Sequence, residues 1–308
     1  MRPELIRASE LLQQQTPEAV EQAIGLMQNT VYSFSMKVCG HPEDAEDTMQ
    51  DVLFRSLGHL AKLRDPQALA AWLYTVTRNR CWRMRRKPAN VHGPTLSLDE
   101  LLPDDAELGR LLEDAAANPE DRALGAEQHE FLHRAVLRIP AQLRIVLVLH
   151  DMEELDTDLV AQILGLKSGT VRVRLHRARL AVRKQMSSLL EEVRSKKRQE
   201  RPPRRKLSSR SKRPEACRNL FANLSEYLDG RVEPRTCEQM REHIEGCPAC
   251  VAFLRDLRSA IDRCRSMEVA CNPGVGSRLR AILTREYVRM LTLPKEEIPT
   301  RRKKSLRM

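Results

Sequence analysis

Three cysteines and one histidine near the C-terminus have the types and spacing of a metal site. Cys217, His243, Cys247 and Cys250 follow the pattern C-x25-H-x3-C-x2-C. His243 and Cys247 lie one helical turn apart, and Pro248 turns the chain so that the next thiolate points back to the same place. Three thiolates and one imidazole suit tetrahedral zinc, and a closed set of four ligands indicates a structural ion. We predict one bound Zn²⁺; the alternative is a helical hairpin with unligated thiols.

The other five cysteines are weaker candidates for metal binding: Cys39, Cys81, Cys237, Cys264 and Cys271. Cys39 and Cys81 are predicted to be packing residues. Cys264 continues an apolar helical stripe and is predicted to lie in the core. Cys237 is also assigned to the core, although it could replace Cys217 as a ligand. We expect Cys271, which precedes an Asn-Pro-Gly turn, near the surface.

The composition predicts an all-α protein. With 12 glycines and 4% aromatic residues in 308, packed helices are favoured over sandwiches, barrels or a nucleotide-binding sheet. No apolar run has the length of a membrane span or a signal peptide, so we expect a cytoplasmic chain without membrane contact. No catalytic triad, paired carboxylates or phosphate-binding glycine loop is visible, and we predict that the chain is not an enzyme.

Charge is segregated along the chain, which carries a net charge of +11. Residues 194–213 contain eleven bases and one acid, as expected of a solvated linker that also attracts phosphate. Acids dominate 41–51 and 99–121, whereas bases dominate 78–87 and 167–184. Such blocks indicate an acidic surface for one partner and two basic surfaces for another.

Residues 157–183 have the pattern of a helix-turn-helix. Thr157 is predicted to cap a short helix, Gly165 to form the turn and Ser168 to cap a second helix. An apolar stripe on the second helix predicts its buried side: Val171, Leu175, Ala178 and Val182. The remaining cations are predicted to point outward: Arg172, Arg174, His176, Arg177 and Arg179. This is the layout of a DNA recognition helix; the alternative is a basic surface helix without that role.

Together with the preceding run LRIPAQLRIVLVLHDMEEL, the segment SGTVRVRLHRARLAVR resembles region 4 of bacterial sigma factors of the extracytoplasmic-function type, which reads the −35 promoter element. PEDAEDTMQDVLFRSL resembles the region 2 helix that docks on the β′ clamp helices of core RNA polymerase. AWLYTVTRNRCWRMRRK resembles the segment that opens and reads the −10 element. The resemblance implies a factor that directs core RNA polymerase to promoter DNA. A helix-turn-helix regulator that does not program polymerase remains the alternative.

The resemblance also implies the roles of individual residues. The predicted polymerase-binding residues are Asp44, Asp47, Gln50 and Asp51. The predicted DNA-binding residues of the first block are Arg78, Asn79, Arg80, Trp82, Arg85 and Arg86. In the helix-turn-helix they are Ser168, Thr170, Arg172, Arg174, His176 and Arg177. Cations interleaved with an aromatic ring suit a −10 reader, which must hold single-stranded bases.

With SEYLDGRV between its ligands, the metal motif resembles the zinc-binding anti-sigma domain, whose helices wrap a sigma factor and block polymerase. We therefore predict two small helical sigma domains and a small zinc-binding helical domain that modulates them through an intramolecular contact, in response to metal or redox state. In the alternative, the zinc domain binds a separate protein and assists the sigma activity. The predicted boundaries are 17–88 (region 2), 89–121 (acidic flexible linker), 122–190 (region 4), 191–214 (basic linker), 215–267 (zinc domain) and 268–308 (amphipathic helix and basic tail).

Overall fold

The computed structural model describes residues 1–60, 65–84, 97–116, 126–197, 215–269, 271 and 273–292. Within them every regular element is helical, as the composition predicts. The elements are α1 (Pro3–Gln14), α2 (Pro17–Cys39), α3 (Pro42–Leu60), α4 (Pro66–Met84), α5 (Leu98–Leu101), α6 (Asp105–Ala116), α7 (Ala126–Arg138), α8 (Ala141–Leu147) with a π-helical turn (Val148–Met152), α9 (Thr157–Leu164), α10 (Ser168–Lys197), α11 (Glu215–Leu228), α12 (Pro234–Gly246), α13 (Pro248–Arg265) and α14 (Pro273–Thr292). In the described part of the chain, no helix combines the length and apolar character of a membrane span.

Helices α1 to α4 form the N-terminal bundle, in which α2 packs on the other three. Thr16 caps α2 by accepting a hydrogen bond from the amide of Ala19. Gly40 ends the helix with φ 80°, where a Cβ atom would lie 2.5 Å from the side chain of Leu137. The rings of Phe34 and Tyr74 meet in the core, with centroids 5.0 Å apart. This core positions α3 and α4, which carry the predicted polymerase and −10 residues.

Helices α7 to α10 form the HTH bundle, which ends in the helix-turn-helix. The carboxylate of Asp156 caps α9 by accepting a hydrogen bond from the amide of Leu159 at 2.8 Å. The prediction that Thr157 is the cap is therefore wrong by one residue, since Thr157 is the first helical residue. Gly165 turns the chain with φ 65°, as predicted. Ser168 is likewise the first helical residue of α10, and its hydroxyl donates to Asp158, so the prediction that it is the cap is also wrong by one residue. The predicted apolar stripe of α10 is buried: Val171, Leu175, Ala178 and Val182.

Helices α11 to α13 form the C-terminal unit. Phe221 of α11 and Phe253 of α13 pack edge to face, with ring centroids 5.0 Å apart. The unit lies on the HTH bundle, where α11 and α13 both contact α10. Beyond it, α14 packs against α2 and α3 of the N-terminal bundle. The chain from 215 to 292 thus contacts both halves of the molecule that precedes it.

The segment predicted as a flexible acidic linker contains two helices, so this prediction differs from the structure. Ser97 and Glu100 form a reciprocal capping box at the start of α5. Helix α6 then packs against α13, which supplies an apolar surface that the sequence does not reveal. Similarly, α10 continues to Lys197, past the predicted start of the basic linker at 191. The rest of that linker, 198–214, and the basic tail, 293–308, lie outside the described residues.

Candidate metal centre and nucleic-acid interface

The four predicted metal ligands converge on one point of the C-terminal unit. Their ligand atoms all lie within 4.8 Å of one another. The Sγ atom of Cys217 lies 3.3 Å from Nε2 of His243 and 3.7 Å from Sγ of Cys250, which is itself 3.4 Å from the same Nε2. Cys247 completes the set at the junction of α12 and α13. Helix α11 therefore supplies one ligand, and the α12–α13 corner supplies three.

These separations fit a tetrahedral ion. Bonds of about 2.3 Å from zinc to sulfur and about 2.0 Å to nitrogen place tetrahedral ligands roughly 3.5–3.8 Å apart. Burial raises the pKa of Cys250, and its neighbours Cys247 and Cys217 raise it further. Burial also acts to raise the pKa of Cys247, but hydrogen bonds from Cys250 and from the amide of Ala249 outweigh it and lower that pKa. A divalent cation would allow all three thiols to ionise together, so the donor set could hold a metal.

The remaining cysteines lie away from this cluster. Cys39, Cys81 and Cys264 are buried, in agreement with their predicted packing roles. Cys237 is partly buried on α12 and does not join the four ligands. Cys271, expected near the surface, is half-buried and lies 3.9 Å from the sulfur of Met49 on α3.

The recognition helix α10 presents only part of its predicted cationic face to solvent. Thr170 and Arg172 are exposed, and Ser168, Arg174 and Arg177 are partly exposed. The hydroxyl of Ser168 donates a hydrogen bond to Asp158 at 2.6 Å, which joins the two helices of the motif. Val173, which the sequence analysis did not single out, is 55% exposed between these cations.

Arg179 is buried, and the prediction that it points outward is wrong. Its guanidinium donates to both carboxylate oxygens of Asp151, at 2.7 and 2.8 Å, and to both of Asp229, at 2.8 and 3.0 Å. Asp151 belongs to the HTH bundle, whereas Asp229 directly follows α11 of the C-terminal unit. The helical spacing placed Arg179 off the apolar stripe, but it could not show that another unit covers this side of the helix.

His176 also faces the C-terminal unit rather than open solvent. Its Nδ1 lies 2.9 Å from the hydroxyl of Ser225 on α11. Burial, followed by the charges of Arg179 and Arg177, lowers the pKa of His176 to about 4. The imidazole is therefore neutral at neutral pH, and the prediction of an outward cation at this position is wrong.

Arg183, one turn further along α10, is a second buried arginine that joins α10 to other units, and it was not predicted from the sequence. Its side chain is 1% exposed and pairs with Glu107 of α6 at 2.5 Å and with Asp256 of α13 at 2.7 Å. It also lies over the ring of Phe253, 4.7 Å from the centroid. Arg179 and Arg183 together join the recognition helix to the C-terminal unit and to α6. An acidic partner about 70 residues away leaves no local signal in the sequence.

The Asp151–Arg179 pair predicts a specific response to acid. Burial acts to raise the pKa of Asp151, but hydrogen bonds and charge from Arg179 and His150 outweigh it and lower the pKa to about 2. Because this value lies below the unfolded-state value of 3.8, the contribution is present above about pH 4 and is lost as pH falls toward 2. It amounts to about 2 kcal/mol at neutral pH.

Urea unfolding of the protein and of Asp151→Asn at pH 6 and pH 3 measures this contribution. The stability difference between the two should shrink by about 1 kcal/mol at the lower pH. A surface control, Asp262→Asn, should show no such change, because Asp262 is exposed on α13. A constant difference for Asp151→Asn would contradict the assignment.

The predicted −10 residues that the structure describes lie on α4, and the side chain of one of them, Arg78, is held by contacts within the protein. Arg78 donates hydrogen bonds to the Asn79 side chain at 2.7 Å and to the backbone carbonyl of Ile163 on α9 at 2.5 Å. Its guanidinium lies 5.2 Å from the ring centroid of Trp82, which is 47% exposed. Arg80 lies 3.4 Å from Asp51 of α3. Arg85 and Arg86 lie outside the described residues.

The predicted polymerase-binding residues share one side of α3. Asp47 and Gln50 are exposed, whereas Asp44 and Asp51 are partly buried. Phe54, one turn beyond Gln50, is 48% exposed and extends this side with an apolar ring. Aromatic rings are enriched at protein interfaces, and the i, i+4 spacing of Phe54 from Gln50 is the signal that could have found it.

Family models match three parts of the chain in the order of its structural units. Sigma-70 region 2 matches residues 24–90, and Sigma-70 region 4 matches residues 130–182. A third model, described as "Putative zinc-finger", matches residues 217–250. The chain belongs to the extracytoplasmic-function (ECF) sigma factors. The N-terminal bundle of this sigma factor thus contains region 2, and the HTH bundle contains region 4.

Individual relatives agree with the family models. The RNA polymerase sigma factor YlaC of Bacillus subtilis is 29% identical over 50% of this chain and 84% of its own length. The ECF sigma factor SigW of the same organism is 26% identical over 56% of this chain and 91% of its own. The ECF sigma-E factor of Escherichia coli is 26% identical over 48% and 76%, respectively.

As an ECF sigma factor, the protein directs RNA polymerase, and its partners are the core polymerase and promoter DNA. It is a transcription initiation factor and not an enzyme. A helix-turn-helix regulator that does not program polymerase would have no use for region 2, so this alternative is set aside. The region that matches the putative zinc-finger model, with its four clustered candidate ligands, is an addition to regions 2 and 4.

Proposed function

We propose that the sigma factor carries its own inhibitor: a zinc-bound C-terminal unit that holds region 4 until the metal or its thiolates are lost. The observation that carries this proposal is the Arg179 junction. Two residues of the recognition helix contact the C-terminal unit: Arg179 pairs with Asp229, directly after α11, and His176 contacts Ser225 of α11. A recognition helix needs free access to the major groove, and α11 lies against one side of it.

Covalent linkage strengthens such a contact. A domain tethered by a flexible segment reaches effective concentrations on the order of millimolar, so a weak interface is sufficient for inhibition in cis. Helix α14 adds a second contact, on α2 and α3 of region 2. In the alternative, the C-terminal unit recruits a separate protein. That alternative does not account for the two buried arginines of α10 that pair with acidic residues of the C-terminal unit.

We further propose that Asp44, Asp47, Gln50 and Asp51 bind the β′ clamp helices of polymerase. The −10 element would be read from α4 by Arg78, Asn79, Arg80 and Trp82, and by Arg85 and Arg86 beyond its described end. On region 4, the −35 contacts would come from Ser168, Thr170, Arg172, Arg174 and Arg177, and from His176 once α11 has left. Phe54 would add an apolar contact to polymerase. Release of the C-terminal unit would therefore be required before the whole −35 surface is available.

Run-off transcription with sigma-free core polymerase on a promoter library tests the proposal. The full chain should be weakly active with zinc and strongly active after chelation or thiol oxidation. Equal activity in both states would contradict the inhibitory role. Silence in both states would contradict the promoter-directing role.

The polymerase contact has its own variant. Asp47→Ala with Gln50→Ala should reduce transcription by the chelated chain about 10- to 100-fold, because two interface contacts are lost. Binding to promoter DNA alone should not change. Glu18→Gln, an exposed change on α2, is the control. Full activity of the double variant would place the polymerase contact elsewhere.

A further inference from the structure

Regions 2 and 4 are also joined directly, through a buried carboxylate. Glu153, which follows the π turn, is 1% exposed. It accepts hydrogen bonds from Nζ of Lys37 at 2.8 Å and from the hydroxyl of Tyr74 at 2.7 Å, and Nε of Arg2 lies 3.2 Å away. All three partners belong to the N-terminal bundle. Region 4 thus places one negative charge in a buried site of the N-terminal bundle formed by Lys37, Tyr74 and Arg2, which we call the socket.

Backbone contacts around this socket reinforce the pairing. Arg2 donates twice to the carbonyl of Met152, at 2.8 and 3.0 Å. Arg144 of α8 donates to the carbonyl of Val38 at the end of α2, at 2.7 Å. Removing one partner of a buried ion pair leaves an uncompensated charge, so this arrangement of the two regions depends on both partners of the pair being present. None of these contacts involves a residue of 215–292.

This arrangement is incompatible with reading a whole promoter. Elements centred near −10 and −35 are about 25 base pairs apart, which is roughly 85 Å along B-form DNA. In the structure Arg78 of the −10 segment touches Ile163 of α9, the first helix of the −35 reader. The two regions must therefore separate before both elements can be bound.

We propose that the −10 face of region 2, the side of α4 that carries Arg78, is an intramolecular docking site for α9. Glu153 holds α9 on this face, and this contact inhibits promoter binding independently of the C-terminal unit. This proposal rests on the proposed function only for the assignment of Arg78 to the −10 element. Release of the C-terminal unit would then free α10 but would leave the −10 face covered. Full activation requires both contacts to open, and core polymerase is the partner that would supply the second opening.

Hydrogen exchange of the full chain, with zinc bound, measures the docking without any DNA. Glu153→Gln should open the contact, because Lys37 is left buried without its counter-charge. Exchange from α4 and α9 should accelerate about tenfold or more, while exchange from α12 stays unchanged. Glu18→Gln removes the same charge from an exposed position and should have no effect.

A second pair of variants distinguishes opening of this contact from general unfolding of the chain by Glu153→Gln. Arg2→Ala removes one of the partners of Glu153, and Arg7→Ala removes an exposed arginine of α1 that pairs with Glu10 on the same helix. The first should accelerate exchange from α4 and α9 about threefold, and the second should not. If neither Glu153→Gln nor Arg2→Ala exceeds its control, the docking site is overturned. If Glu153→Gln accelerates exchange throughout the chain, the comparison of Arg2→Ala with Arg7→Ala decides whether the docking contact exists.

Transcription separates this proposal from the one before it. With the zinc unit also released, Glu153→Gln should exceed the otherwise unaltered chelated chain several-fold. If exchange accelerates but no variant transcribes, the promoter-directing function fails and the docking stands. If chelation activates transcription but exchange is unchanged, the brake through Glu153 fails alone.

Discussion

Cys250→Ser is expected to abolish metal binding, unfold the C-terminal unit and raise transcription to that of the chelated chain. A hydroxyl is a poor replacement for a thiolate on zinc, and Cys250 is the ligand in contact with both Cys217 and His243. Apparent binding free energies of roughly 10–16 kcal/mol in small zinc peptides exceed the few kcal/mol that a core of this size supplies. We therefore expect the folding of the unit to depend on a bound metal.

Metal content, helicity and run-off transcription measure the three consequences. Cys237→Ser is the matched control, since Cys237 lies on the same unit outside the ligand cluster. It should keep one zinc per chain and the activity of the unaltered protein. A Cys250→Ser chain that loses its zinc but stays inactive would show that the folded unit is not the inhibitor.

Asp229→Asn is expected to release the C-terminal unit while its zinc stays bound. The substitution removes the charge that Arg179 meets across the interface but keeps its pair with Asp151 inside region 4. Losing one member of a buried charge pair at an interface costs about 2–4 kcal/mol, or roughly 30- to 1,000-fold in the docking equilibrium. Transcription should therefore rise without chelation.

This variant separates release of the interface from loss of the metal. Asp262→Asn, on an exposed part of α13 where Asp262 pairs with Arg265, is the control and should keep the weak activity of the unaltered chain. Hydrogen exchange should show less protection in α11 and in the middle of α10, with α12 unaffected. Unchanged exchange and activity in Asp229→Asn would show that the Arg179 junction does not hold the two parts together.

Local patterns determined the parts of this protein that depend on neighbours in the chain. Gly165 marks a turn because its left-handed backbone favours glycine, and Val171, Leu175 and Ala178 repeat at the helical period. The ligand set with Cys217 and His243 was also visible, since thiol and imidazole side chains at metal-binding spacing have few other uses. The helical fold class and the sigma resemblance followed from such features.

Tertiary structure decided what the cations do and where the units meet. Helical periodicity predicts which face of its own helix a residue lies on. It predicted that Arg179 faces solvent because it contains no information about α11, which covers that face. Lys37 and Glu153 are 116 residues apart, and each looks like an ordinary surface charge until the bundles pack. Helix α6 forms in an acidic stretch because α13 offers it an apolar surface. Burial and long-range pairing belong to the folded chain as a whole, so they decided which arginines remain free for DNA.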